Sequence, residues 1–364
     1  MISRVADCCF WLGRYLERAE STARLLQVTA SLALDGDLTA RQCWHPVIIT
    51  AGEEATYTER HGEDALADGE RVQAHLALDP EVGVSIVRSI AGARENARSM
   101  REVISLEVWE SLNELHLYLQ SEAAELAWRE NRYEHYRRVR TEVQLVLGLL
   151  RGTMLHDAPM HFAWLGVLIE RTGQTARILD VHHHAFTHVA RLGPSDTERA
   201  IAVSHWLSLL RACYGFEPFM KIHRGVVTGE AVASFLVFES RFPRAVRYCV
   251  VRARETMIAT RPPDVPALRA LALLDRLDVD LGRAKEHSLD PSRLHALLTD
   301  VVDTTHAISA AISDELFGVE PIATDSPSRA DAPSHAQPQT QSQSQSSGGS
   351  QSQSQSQSSG GSQG

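Results

Sequence analysis

The stretch from Trp11 to Leu26 occurs a second time as Trp164 to Leu179, displaced by a constant 153 residues. Nine of its sixteen positions are identical (Trp, Leu, Gly, Glu, Arg, Thr, Ala, Arg and the final Leu), where chance gives about one. Both copies read as helix. In the first, Val5, Cys8, Leu12, Leu16, Ala19, Ala23, Leu26 and Ala30 recur at three- and four-residue steps, the spacing of one buried face. The repeat points to an all-α chain built as a tandem duplication of a helical-bundle unit, with halves at 1–153 and 154–318.

Packing accounts for Leu12, Ala23 and Leu26 and their partners Leu165, Ala176 and Leu179. It does not account for the polar matches Glu17/Glu170, Arg18/Arg171 and Arg24/Arg177. At about 100° per residue, Gly13, Glu17 and Arg24 fall on one flank of the first helix and Trp11, Arg18 and Thr22 on the other, both away from the main apolar stripe. Adjacent residues on a helix do not face each other, so Glu17 and Arg18 must each find a partner elsewhere. Two readings stay open for these six residues. One is an interhelical network, the Glu of one copy with the Arg of the other, fixing helix register through bidentate pairs. The other is an Arg-lined site that recognises a carboxylate or phosphate.

The stretch Gly13-Arg14-Tyr15-Leu16-Glu17-Arg18-Ala19-Glu20 resembles the signature of the bacterial alpha-E family, an all-helical domain with a Glu-Arg motif. The resemblance extends through Arg94–Glu102, Glu107–Asn113, Gly152-Thr153-Met154 and Phe162 to Asp180, and covers roughly residues 1–316. It draws Arg98 and Arg101 into the candidate partner- or ligand-binding set. Families resembling this one are encoded beside, or fused to, circularly permuted ATP-grasp ligases and transglutaminase-like peptidases. The resemblance therefore implies an accessory or scaffold subunit of a cytoplasmic peptide-modifying system, binding the ligase or its peptide substrate. The alternatives are a catalytic helical domain using Glu/Arg pairs on a peptide or amino-acid carboxylate, and a stand-alone structural dimer.

Composition narrows the partners. A net charge of −10 argues against nucleic acid as the principal partner, because phosphate neutralisation needs a basic surface. Cys8, Cys9, Cys43, Cys213 and Cys249 are odd in number and lack disulfide or zinc spacing, which suits reduced thiols in a cytoplasmic protein. No segment reaches the roughly eighteen apolar residues of a membrane span. Beyond Asp325, Ser-Gln repeats with Gly-Gly breaks read as a disordered tail, 319–364.

Helices are expected at about 3–34, 42–58, 80–103, 105–127 and onward to Leu150 in the first half, with a shorter one contained within 62–78. In the second they run from Asp157 to about Val189, from a capping box at Ser195–Glu198, from Asp264 to His287, and from Asp290-Pro291 to near Gly318. Trp206 is expected to answer Trp44. Glu95–Arg98 and Arg98–Glu102 have the spacing of helix-surface ion pairs. Asp180, His184 and His188, beside His182 and His183, lie at four-residue steps that can hold a metal on one helix face. With 17 histidines in the chain such clustering is cheap, and neither a metal nor another cofactor is expected. No phosphate-cradling Gly loop, Ser-His-Asp elbow or Cys-His dyad stands out, so nothing in the motifs identifies an enzyme.

Overall fold

In the computed structural model the described residues are 3–35, 38–190, 196–260, 268–286 and 290–318, with the side chains of 184–190 and 196–199 excepted. All of their regular structure is helical, with no strand among them. The helices are α1 (Ser3–Asp35), α2 (Ala40–Ala51), α3 (Glu54–His61), α4 (Gly69–Leu78), α5 (Ile86–Ser99), α6 (Leu106–Leu119), α7 (Glu122–Glu130) and α8 (Arg132–Thr153). They continue as α9 (Ala158–Ala190), α10 (Asp196–Ala212), α11 (Phe216–His223), α12 (Gly229–Phe238), α13 (Val246–Thr260), α14 (Arg269–Ala284) and α15 (Pro291–Ile312).

The two helices carrying the repeated stretch, α1 and α9, are the longest and form the central pair. They approach backbone to backbone: a Cβ on Gly13 would lie 1.9 Å from the Ala163 carbonyl oxygen, and one on Gly166 would lie 2.0 Å from that of Phe10. Only glycine permits this distance. Contacts between the pair keep a near-constant sequence separation, 156, 152 and 154 residues for three of their side-chain bonds. The helices therefore run side by side in the same direction. Around them the neighbours match: α1 packs on α5 and α8, α9 packs on α13 and α15, α5 and α8 share α6, and α13 and α15 share α14. Trp44 lies over Gly69 at the start of α4, with Nε1 2.3 Å from where a Cβ would be, and Trp206 covers Gly229 at the start of α12 at 2.7 Å.

Four expected boundaries move, each for a local reason. The helix expected over 42–58 breaks at Gly52, whose φ of 76° closes α2 before α3 begins. Residues 80–85 are turn rather than helix, because Asp79 accepts from the Glu81 amide and Ser85 caps α5 instead. The helix expected over 105–127 divides at Ser121, which caps α7. The helix expected to reach Val103 stops at Ser99, so Glu102 lies in a turn and Arg98 pairs with Glu95 alone. The expected start at Asp290-Pro291 and the stop at Gly318 (φ 62°) are found. Ser195, Asp264 and the tail 319–364 lie outside the described residues.

Core residues line the inner faces of both sets of helices, from Phe10, Leu16 and Leu26 to Leu274, Leu298 and Ile308. The flank of α1 that carries Gly13, Glu17 and Arg24 is not open, since all three are buried with Glu20 beside them, whereas Trp11, Arg18 and Thr22 on the other flank are half-buried. This helix is enclosed on nearly every side, and its charges must be satisfied internally.

Candidate functional site

Where α1 and α9 meet, the repeated Glu and Arg residues cross-pair. Arg171 holds Glu17 through Nε and Nη2 at 3.0 and 2.7 Å. Arg18 holds Glu170 through the same two nitrogens at 2.8 and 3.1 Å. Both pairs are bidentate, the geometry in which guanidinium and carboxylate bind most strongly. Both carboxylates are buried, Glu17 at 0% and Glu170 at 2% exposure. Burial alone would raise the Glu17 pKa, but Arg171 and Arg244 outweigh it and bring the group down to about 2. Burial likewise opposes ionisation of Glu170, and Arg18 and Arg14 overcome it, holding that carboxyl well below the usual range.

Residues outside the repeated positions complete two unlike shells. On the Glu17 side, Arg244, delivered by the turn before α13, donates to Glu17 and to Glu20, the latter at 3.0 Å. Glu20 also takes both of its oxygens to Arg24 at 2.6–2.7 Å, and Arg24 Nε donates to the Ala212 carbonyl. Tyr214 caps this layer: the Arg24, Arg244 and Arg140 guanidiniums lie 4.2, 4.9 and 5.1 Å from its ring centre. Its hydroxyl accepts from Arg140. On the Glu170 side, Arg14 adds a bond at 2.8 Å and Gln174 one at 3.3 Å. Glu20 has Gly173 as its counterpart there, so Arg177 has no acid one turn before it. Its Nε is buried with no hydrogen-bond partner.

Against the Glu17 shell opens a pocket of about 430 Å³ lined by Gln144, Arg151, Trp164, Arg171, Tyr214, Pro243, Arg244 and Tyr248. Three guanidiniums and no carboxylate face it. Arg171 and Arg244 are fixed from behind by Glu17, and Arg171 also donates to the Pro243 carbonyl at 3.3 Å. Arg151 lies over the Trp164 ring at 4.4 Å. Such a surface suits an anionic group with an apolar or flat body. Neither Glu17 nor Glu170 is set up to transfer protons near neutrality, because both are held ionised and bonded on both oxygens.

The remaining expected site residues lie elsewhere. Arg24, one of the six residues for which an Arg-lined site stayed open, is buried and bound to Glu20 and Ala212. Arg98 is exposed and pairs with Glu95, while Arg101 lies over Trp109 at 4.7 Å; neither joins the Glu-Arg lattice. Asp180 meets His295 of α15 at 2.8 Å. The side chains of His184 and His188 lie outside the described residues, and among the described residues no group of three His, Cys, Asp or Glu could hold a metal ion. The five cysteines are free, and burial raises Cys9 and Cys249 to about 12 and Cys213 to about 11. Among the described residues no helix is long and apolar enough to cross a membrane. Sequence reasoning missed Arg14, Glu20, Arg140, Arg151, Tyr214 and Arg244. Arg14 and Glu20 sit inside the repeated stretch but differ between copies, and Arg244 carries no local signal.

Fold and site together define an all-helical protein whose central helix pair is locked by reciprocal Glu-Arg bonds. The family model for Alpha-E, described as a predicted alpha-helical domain with a conserved ER motif, matches residues 1–317. The chain belongs to the Alpha-E family. It is also similar to uncharacterized proteins of Mycobacterium bovis and Mycobacterium tuberculosis, each 24% identical over 326 residues. That alignment covers 85% of this chain and 36% of each relative, so the chain spans about a third of their length. No solved structure matches.

Proposed function

We propose that this chain is an accessory subunit of a cytoplasmic peptide-modifying system and that it engages the carboxylate of a peptide substrate of an ATP-grasp-type ligase. The partner class, with a transglutaminase-like peptidase beside it, comes from the family resemblance. The observation that carries the reading is the pocket over Glu17, where Arg151, Arg171 and Arg244 converge without a lining carboxylate. In this reading the two halves are a tandem duplication, supported by the reciprocal Arg18–Glu170 and Arg171–Glu17 pairs and the matched neighbours of α1 and α9. The Glu-Arg motif is then the frame, and the pocket it stiffens is the recognition surface.

Arg151 separates recognition from stability, because it is exposed and supports no described ion pair. A fluorescent acidic peptide with a free C-terminus should bind at least about tenfold more weakly to Arg151→Ala than to the unchanged protein, the effect of one charge-assisted contact. The thermal midpoint should not move. Capping the peptide as the C-terminal amide should weaken binding likewise, and pull-down of the neighbouring ATP-grasp protein loaded with that peptide should fall in parallel. Equal binding of the free and amidated peptides would overturn carboxylate recognition.

A further inference from the structure

Arg177 and Arg24 occupy the same place in the two copies of the repeated stretch, and only one of them is satisfied. Arg24 has Glu20 one turn earlier, the Ala212 carbonyl on Nε, and the Tyr214 ring over its face. Arg177 has Gly173 one turn earlier, and its buried Nε meets no acceptor. The nearest carboxylate is already spent: Glu170 Oε1 receives Arg18 and Gln174, and Oε2 receives Arg14 and Arg18. Three guanidiniums thus surround one carboxylate. A buried guanidinium nitrogen that finds no acceptor, in a cluster with three cations to one anion, is costly to hold.

The geometry also leaves room for a partner. A Cβ placed on Gly173 would meet only Arg177 Nη2 at 3.5 Å and Thr305 Cγ2 at 3.6 Å, ordinary contact distances with no backbone in the way. Arg177 is neither sealed nor fully exposed, and Thr305 of α15 borders the position over Gly173. We propose that the space over Gly173 is a binding site for one small oxyanion, a carboxylate or a phosphate, held by Arg177 where Glu20 holds Arg24 in the other copy. The bound anion supplies the charge that the sequence withholds at 173. This site is independent of the pocket over Glu17 and does not rest on the reading given to that pocket.

The test uses the full chain carrying Arg151→Ala, which removes the exposed cation of the other pocket. Inorganic phosphate and acetate are titrated separately at constant ionic strength, reading the thermal midpoint and the Arg177 Nε–H resonance, assigned through its loss in Arg177→Met. At least one of the two anions should shift that resonance saturably and raise the midpoint by several degrees, since any ligand that binds only the folded state stabilises it. A phosphate-only response identifies a phosphate site; an acetate response identifies a carboxylate site. Gly173→Glu should abolish both responses and melt higher than the parent without added anion. Gly173→Gln gains the same helix propensity without charge, so the excess of Glu over Gln reads the pairing itself. Arg177→Met keeps a linear apolar stem and should fold while losing the responses. Neither anion moving the Nε–H resonance, or equal midpoints for Gly173→Glu and Gly173→Gln, would overturn the proposal.

Discussion

The Glu17 and Glu170 sides of the central pair start from the same residues and reach different solutions. At Glu17 a second carboxylate, Glu20, joins the first, and Arg24, Arg171 and Arg244 share the two. At Glu170 there is one carboxylate, and Arg14, Arg18 and Arg177 crowd around it. The repeated positions fix the reciprocal pairs that set helix register. The unrepeated ones decide whether each shell balances its charge. A motif present twice is therefore not a site present twice.

The largest expected effect comes from breaking a reciprocal pair. Arg171→Ala leaves Glu17 buried with Arg244 as its one ion-pair partner in contact and a long Ser21 hydrogen bond, and denaturant melts should show a loss of about 3–5 kcal/mol, as when other buried pairs are severed. Arg18→Ala, replacing a side chain 14% exposed, should lose less because Arg14 still holds Glu170. A loss at Arg18 exceeding that at Arg171 would break the comparison. Acid tests the same bonds. The Glu17 pKa falls from 4.5 in the unfolded chain to about 2 in the fold, so the unfolded state binds protons first as pH drops. The stability this group contributes is present above pH 4.5 and is lost between 4.5 and 2, a change of about 3 kcal/mol. Melts across that range should show the loss, and Glu17→Gln should flatten it.

Closer to the helix contact, Gly166→Ala should cost about 1–3 kcal/mol from overpacking against the Phe10 carbonyl, despite the better helix propensity of alanine. Gly173→Ala, whose Cβ would meet only side-chain atoms at 3.5 and 3.6 Å, should stabilise by about 0.5–1 kcal/mol for that same propensity. The sharpest contrast is between the two matched arginines. Arg24→Met takes away the guanidinium bonded to both oxygens of Glu20, leaving Arg244 and the more distant Arg140, and should destabilise clearly. Arg177→Met removes a third cation from a carboxylate already bonded by Arg14 and Arg18, and should be neutral or stabilising by about 1 kcal/mol. Equal losses at both positions would mean the shells are equivalent after all. Arg98→Ala, on the outer face of α5, should leave the melting midpoint where it is.

How much of this was legible in the sequence follows from what each feature depends on. Apolar spacing and the repeated stretch were enough to read an all-helical fold, to match α1 with α9, and to single out Glu17, Arg18, Glu170 and Arg171. Boundaries set by one side chain's hydrogen bond, such as Ser85 capping α5 or Ser121 interrupting a long apolar pattern, were invisible to periodicity. The mirrored position of Arg177 encouraged reading it with Arg24, yet the two differ through Glu20 and Gly173, which comparison of identities discards. Arg244 arrives from more than 220 residues away, and nothing near it in the chain announces its partner.

The parallel run of α1 and α9 also dictates when the protein can become itself. The bonds that neutralise Glu17 come from Arg171 and Arg244, so a nascent chain that has released only α1 to α8 holds a long helix with no central mate. Closure waits for α9, and even then Glu17 and Glu20 are finished only when the turn before α13 leaves the ribosome. The bonds that finish Glu17 join residues 154 and 227 positions apart, so the loop-closure cost falls before the contacts reward it.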